Sequence, residues 1–142
     1  MGVRRTHIEA RPPFDEMHPA GALDELLTRA DVLSLHVRAS QETRGLIGSE
    51  RLALLPEGAL VLNSARGSLL DENALLRALD GNVAAAWLDV FSAEPLSAAS
   101  PLWSHARVLV TPHSADQVED FPRRFAEHFV MLWQRSISGP SL

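Results

Sequence analysis

Cysteine is missing from the 142 residues. Disulfide staples and thiolate chemistry are thereby excluded, and a reducing compartment is allowed. Long apolar runs are missing too, since none approaches the roughly 18–20 residues a bilayer span needs. The opening residues, MGVRRTHIEARPP, hold no apolar stretch of the secretory-signal kind. Positive charge is scarce: Lys+Arg number 13 against 18 Asp+Glu, for a net charge of −5 and a pI of about 5.6. A nucleic-acid surface needs a basic stripe, and this balance argues against one. His7, His18, His36, His105 and His128 lack metal-ligand spacing and read as surface or packing residues. Ser64, Ser68 and Ser114 lack the setting of a nucleophile elbow. A G-x-G-x-x-G turn is nowhere in the chain, and the GLIG at 45–48 has the wrong spacing for one. The expectations are a cytoplasmic protein with no metal, no nucleic-acid partner and no membrane partner.

What is present suits a globular domain. Hydrophobic residues make up 46% and charged residues 22%, ordinary values for one domain with a real core. Four short apolar runs recur, at 30–37, 58–65, 83–91 and 106–112. Their apolarity is continuous rather than alternating, which predicts strands covered on both faces, as in a parallel sheet. Helical patterns fill the gaps. Residues 21–29 place Leu23, Leu26 and Leu27 on one face. Residues 48–55 suggest a helix capped by Ser49 and stopped before Pro56. Residues 71–81 have Asp71 as N-cap and Gly81 as stop. Strands alternating with such helices imply βαβ units. A long helix is expected from Val118 to Arg135, with Pro122 in its first turn. Its Phe121, Phe125, Phe129 and Trp133, with Leu132 alongside, read as a core-facing stripe. Residues 9–21, with three prolines, read as a loose stretch, and GVRRTHI at the start reads as a strand.

In open α/β sheets, ligands bind beyond the carboxyl ends of the strands. That rule selects Arg66 after the second run, Asp89 and Glu94 after the third, and His113 after the fourth. An acid–base group, a carboxylate to orient it and an anion clamp make a plausible catalytic set. Each also has a plainer reading. Arg66 could cap a carbonyl or pair with Asp71, Glu94 could be solvated, and His113 could be a satisfied hydrogen-bonding histidine. Asp89, in an apolar strand, needs a partner whatever its role.

At these positions the chain resembles the D-isomer-specific 2-hydroxyacid dehydrogenases, in the C-terminal part of their cofactor-binding domain. The linked motifs are ADVLSLHV…ETRGLIG, LLPEGALVLNSARGSLLDENALLRAL, AAAWLDVFSAEPL…SPLW and VLVTPHSA. They cover roughly residues 20 to 116, and DVFSAEPL…SPLW looks most like the glyoxylate/hydroxypyruvate reductase branch. The resemblance implies an incomplete Rossmann-type, doubly wound parallel sheet over residues 1–116. Residues 117–142 would be a long C-terminal helix that returns toward a substrate domain.

By the same resemblance, Arg66 would bind the substrate carboxylate and polarise the 2-oxo group, His113 would be the acid–base, and Glu94 would orient it. Asp89 would accept from the nicotinamide carboxamide, and Thr43, Ala65, Arg66, His113 and Ala115 would touch the cofactor. Arg4 and Arg5 stand where NAD-dependent relatives carry an acidic residue, which implies a preference for NADP(H), with NAD(H) possible. The loop HVRAS departs from the family's usual Leu-Pro version at Val37 and Arg38.

The family's first strand, its glycine-rich phosphate loop and its substrate domain have no match in these residues. The expectation is therefore a dehydrogenase fragment, inactive as an isolated chain, whose intact form reduces a small 2-oxo acid and is a homodimer. The alternatives are a non-catalytic α/β binding or interaction module and the product of a decayed dehydrogenase gene. The retained Arg66, Glu94 and His113 count against a non-catalytic module.

Overall fold

The computed structural model describes residues 1–5, 9–10, 14–115, 117 and 119–138, with side chains except at 132, 133 and 135–138. The chain divides into two compact units, Met1–Pro112 and His113–Leu142.

The first unit contains β1 (Gly2–Arg4), β2 (Met17–Pro19), α1 (Leu23–Leu27), β3 (Val32–Leu35), α2 (Ser49–Leu54), β4 (Ala59–Asn63), α3 (Glu72–Leu79), β5 (Val83–Leu88) and β6 (Val108–Val110). Strands β3, β4, β5 and β6 pair in that order, all parallel. Helix α2 links β3 to β4, and α3 links β4 to β5, the βαβ arrangement the four apolar runs predict. Strands β1 and β2 form a separate parallel pair. Doubly wound dinucleotide folds order their strands 3-2-1-4-5-6. Here β2–β1 corresponds to 3-2 and β3–β4–β5 to 4-5-6, with β6 beyond. Strand 1 has no counterpart among the described residues.

The core explains the helix pattern. Val61, Leu69, Leu75, Leu79 and Val83 are fully enclosed, with Ile47 and Leu52 beside them. Burying one such leucine contributes about 2 kcal/mol. Asp71 caps α3 as expected, its carboxylate accepting the Ala74 N–H at 2.9 Å. Arg51 joins α2 to α1 through Asp24 at 2.7 Å and also donates to the Leu46 carbonyl. Glu16 and His18 share a hydrogen bond at 3.0 Å. That bond, followed by the nearby Arg29 charge, holds the Glu16 carboxyl below the usual glutamate value.

Four expectations need correction. The strands are not covered on both faces: Val32, Leu60 and Leu109 are 51%, 39% and 61% exposed on one face of the sheet, while Leu35, Ala59, Val61 and Leu88 are buried on the other. Ser49 is the first residue of α2 rather than its cap; Gly48 occupies the cap, and no side chain bonds there. The stretch 9–21 is not wholly loose, because Met17–Pro19 pairs with β1. GVRRTHI contributes only its first residues to a strand, and Thr6, His7 and Ile8 lie outside the described residues.

In the second unit, α4 (Phe121–Ser138) forms as expected, with Pro122 in its first turn. Phe121, Phe125 and Phe129 are 48%, 62% and 57% exposed. The rings of Phe121 and Phe125 stack along the helix, with centroids 6.1 Å apart. The side chains of Leu132 and Trp133 lie outside the described residues. No helix among the described residues is long and apolar enough to cross a membrane.

Candidate active site at the carboxyl edge of the sheet

In the first unit Arg66 follows the end of β4, and Asp89 and Glu94 follow the end of β5, at the carboxyl edge of the sheet. Strand β4 ends at Asn63, and the chain then turns sharply. Asn63 is fully buried and makes the turn. Its Nδ2 donates to the Arg66 carbonyl at 3.1 Å, and its Oδ1 accepts the Ala65 N–H at 3.1 Å. One amide thus satisfies two backbone groups of residues 65–66 and fixes where Arg66 leaves the sheet. The Arg66 guanidinium donates to the Ala65 carbonyl at 2.6 Å. It forms no ion pair with Asp71 among the described residues, whose carboxylate is engaged at the α3 cap.

Gly67 follows and opens a short 3-10 turn, Gly67–Leu69. A Cβ on Gly67 would lie 1.9 Å from the Phe91 carbonyl carbon and 2.4 Å from the Ser92 nitrogen. The turn carrying Arg66 is therefore in backbone contact with the loop after β5. Two carboxylates shape that loop. Glu94 accepts the Phe91 N–H at 2.9 Å, and Glu72, at the start of α3, accepts the Ser92 N–H at 2.6 Å. Arg66 and Glu94 are thus carried by two loops held against each other.

Asp89 is the buried carboxylate that required a partner. It is 1% exposed, and the Thr111 hydroxyl donates to it. That hydroxyl accepts in turn from the Trp87 indole N–H at 3.0 Å. A hydroxyl that receives one proton and gives its own has a fixed direction, so the chain Trp87–Thr111–Asp89 locks the carboxylate in place.

A cavity of about 260 Å³ opens beyond the ends of β3 and β4, lined by His36, Val37, Arg38, Ala65 and Arg66. Two of these, Ala65 and Arg66, are expected site residues. His36, read from sequence as a surface or packing residue, also lines it, and shares a 2.8 Å hydrogen bond with Ser34. The signal that could have found His36 is the one that found Arg66: it is the first residue past a parallel strand. Thr43, expected at the cofactor, has its hydroxyl committed to the 38–43 loop, donating to the Arg38 carbonyl at 2.8 Å. Arg5 lies 3.9 Å from Glu42, both well exposed, and Arg4 is the last residue of β1. His113 and Ala115 belong to the second unit and are exposed. His113 adopts a left-handed backbone, φ 52°, a conformation that is uncommon outside glycine and for which histidine is among the enriched residues. Among the described residues, no group of three or more His, Asp or Glu side chains could hold a metal ion.

Comparisons with known proteins agree with this fold. Residues 1–115 match the family model described as D-isomer specific 2-hydroxyacid dehydrogenase, NAD binding domain. Over 93 residues the chain is 50% identical to D-3-phosphoglycerate dehydrogenase of Mycobacterium tuberculosis, covering 65% of this chain and 17% of that protein. Over 112 residues it is 43% identical to glyoxylate/hydroxypyruvate reductase B of Escherichia coli O1:K1, covering 78% of this chain and 34% of that one. The chain thus spans at most about a third of these relatives. Among solved structures, a D-isomer specific 2-hydroxyacid dehydrogenase from Xanthobacter autotrophicus Py2, in complex with NADPH and MES, superposes with a TM-score of 0.76 at 39% identity. That match covers 99% of this chain and 57% of the other. The chain belongs to the D-isomer specific 2-hydroxyacid dehydrogenase family, and its matched part is the NAD-binding domain.

Proposed function

We propose that this chain supplies part of a site that moves a hydride between NADP(H) and a small 2-oxo or 2-hydroxy acid such as glyoxylate or hydroxypyruvate. The observation that carries the reading is Arg66: a guanidinium engaged by no carboxylate among the described residues, on a buried brace, at a cavity beyond a parallel strand. Its planar fork suits a carboxylate, which it would hold while polarising the adjacent carbonyl. His113 would protonate the carbonyl oxygen in reduction and accept that proton in oxidation, with Glu94 orienting it. Residues 1–116 would form the cofactor part, and 117–142 a helix directed to a substrate domain. The partner would be the small acid, and the intact protein a homodimer.

The residues present fit the nicotinamide end of the cofactor. The cavity offers backbone at Ala65, and the locked Asp89 carboxylate is an acceptor suited to a carboxamide; Ala115, Thr43 and His113 would complete the contacts. No glycine-rich turn occurs in the 142 residues to hold the pyrophosphate. When bound, the nicotinamide gives or takes the hydride.

The test is catalytic. With the glycine-rich segment and substrate domain of the Xanthobacter relative supplied, the chain should support NADPH-dependent glyoxylate or hydroxypyruvate reduction. No turnover with either acid, in a folded hybrid that binds NADPH, would reject the assignment. Arg4 and Arg5 should set the cofactor preference through the 2′-phosphate. Replacing both with alanine in that hybrid is expected to weaken NADPH binding about tenfold while leaving NADH within about twofold, as one lost charge-assisted contact implies. Tighter binding of NADH than NADPH before any substitution would refute the preference.

A further inference from the structure

Between Val83 and Leu88, β5 carries three alanines and one large side chain, Trp87. A leucine there would add apolar area without a polar atom, whereas an indole N–H drawn out of water needs an acceptor. Trp87 has one past the end of β6: its Nε1 donates to Thr111 Oγ1 at 3.0 Å, and the Thr111 hydroxyl donates to Asp89. Trp87 and Asp89, two positions apart, share a face of the sheet. The ladder fixes the backbones of all three residues. Trp87 pairs with Leu109. The Asp89 N–H donates to the Asn63 carbonyl at 3.0 Å, and the Thr111 N–H to the Leu88 carbonyl at 3.0 Å. The order of the protons is unique. An indole N–H only donates and a carboxylate only accepts, so the Thr111 oxygen accepts from the first and gives its proton to the second. Asp89, 1% exposed, is thereby held at one rotation. All three residues belong to the first unit.

We propose that Thr111 and Trp87 are positioning residues for the nicotinamide carboxamide, acting through Asp89, and that they sharpen the site's preference for an amide over an acid at that end of the cofactor. The inference rests on the carboxamide role given to Asp89. A carboxylate turned by a donated hydrogen bond offers a fixed acceptor direction. An amide N–H satisfies it; a second carboxylate, with the same charge and no proton to give, does not. Without the Thr111 proton the carboxylate is released to rotate, and without the Trp87 proton the hydroxyl is. The loss is therefore graded, larger at Thr111 and smaller at Trp87.

The test is a pair of ¹H–¹⁵N NMR titrations of the 142-residue chain at one fixed salt concentration. One uses nicotinamide mononucleotide; the other uses nicotinic acid mononucleotide, which carries a carboxylate in place of the carboxamide. The amide should bind at least about tenfold tighter, as one hydrogen bond to a charged group implies. The indole N–H signal that disappears in Trp87→Phe should move on saturation with the amide. Thr111→Val should weaken the amide about tenfold and leave the acid within about twofold, and Trp87→Phe should weaken the amide about threefold. Thr111→Ser, which keeps the hydroxyl, should restore the preference. Trp103→Phe should change nothing, since that indole, on a residue 54% exposed, donates to the Ser97 carbonyl at 3.0 Å. A merely structural role would weaken both nucleotides alike. Such an equal loss, a preference that survives Thr111→Val, a Trp87 indole signal that stays still, or binding of neither nucleotide overturns the proposal. Asp89→Asn separates the two readings. If it erases the preference while Thr111→Val and Trp87→Phe do not reduce it, the carboxamide role stands and only the positioning role fails. If Asp89→Asn leaves the preference intact, the carboxamide role itself fails.

Discussion

Gly67→Ala is expected to lower the thermal unfolding midpoint of the chain by roughly 10 °C or more, corresponding to about 3 kcal/mol at a few degrees per kcal/mol. The reason is steric and involves backbone alone. The added methyl carbon would meet the Phe91 carbonyl carbon at 1.9 Å, its oxygen at 2.0 Å and the Ser92 nitrogen at 2.4 Å. No side chain can rotate away to relieve such a contact, so one of the two loops must move. Moving the 91–94 loop strains the Glu72–Ser92 bond at 2.6 Å and shifts the loop that carries Glu94. Moving the other loop displaces Arg66. The substitution should therefore damage stability and site together. Circular dichroism melts of the two chains check it, and a midpoint unchanged within about 2 °C would mean the two loops are not in contact, a shift that small being well under 1 kcal/mol.

Asn63→Ala should have the second largest effect, about 2–4 kcal/mol of destabilisation. Alanine keeps the strand but removes both bonds of the turn. The Ala65 N–H and the Arg66 carbonyl then lose their partner in a poorly solvated place. Asn63→Asp is the informative companion. It retains an acceptor for the Ala65 N–H, turns the other atom toward the Arg66 carbonyl as a second acceptor, and buries a charge where the native residue is fully enclosed. It should be no better than alanine. Urea denaturation of the three chains ranks them. Wild-type stability in either variant would remove Asn63 as the brace of Arg66.

These two residues also mark what the sequence leaves unsaid. The parallel sheet is legible because continuous apolar runs such as ALVLN, bounded by turn residues, suggest strands; that only one face of β4 is buried, with Leu60 39% exposed on the other, is not. The Asp71 cap is legible because a carboxylate before a helical pattern has one obvious use. Arg66 is legible as a polar residue just past a strand. Asn63, three residues earlier, reads as the polar end of an apolar run, and nothing in its identity says that its amide turns back to hold residues 65 and 66. Gly67 likewise depends on Phe91, twenty-four positions away.

Tertiary surroundings decide the other cases as well. The α4 stripe has the right period for a buried face, but periodicity reports only that one face is apolar, not that another element covers it. Strand β2 hides in a proline-rich stretch because Pro19 sits at its last position, where a missing N–H costs little. His36 looks like any surface histidine until β3 is seen to stop at Leu35 and leave it at the cavity.

The most direct measurement is a ¹H–¹⁵N NMR titration of the 142-residue chain with glycolate. Saturable shifts should concentrate at the amides of Val37, Ala65, Arg66 and Gly67, and they should be lost in Arg66→Gln with the rest of the spectrum unchanged. Shifts that centre elsewhere, or that persist without the guanidinium, would contradict the placement of a carboxylate on Arg66.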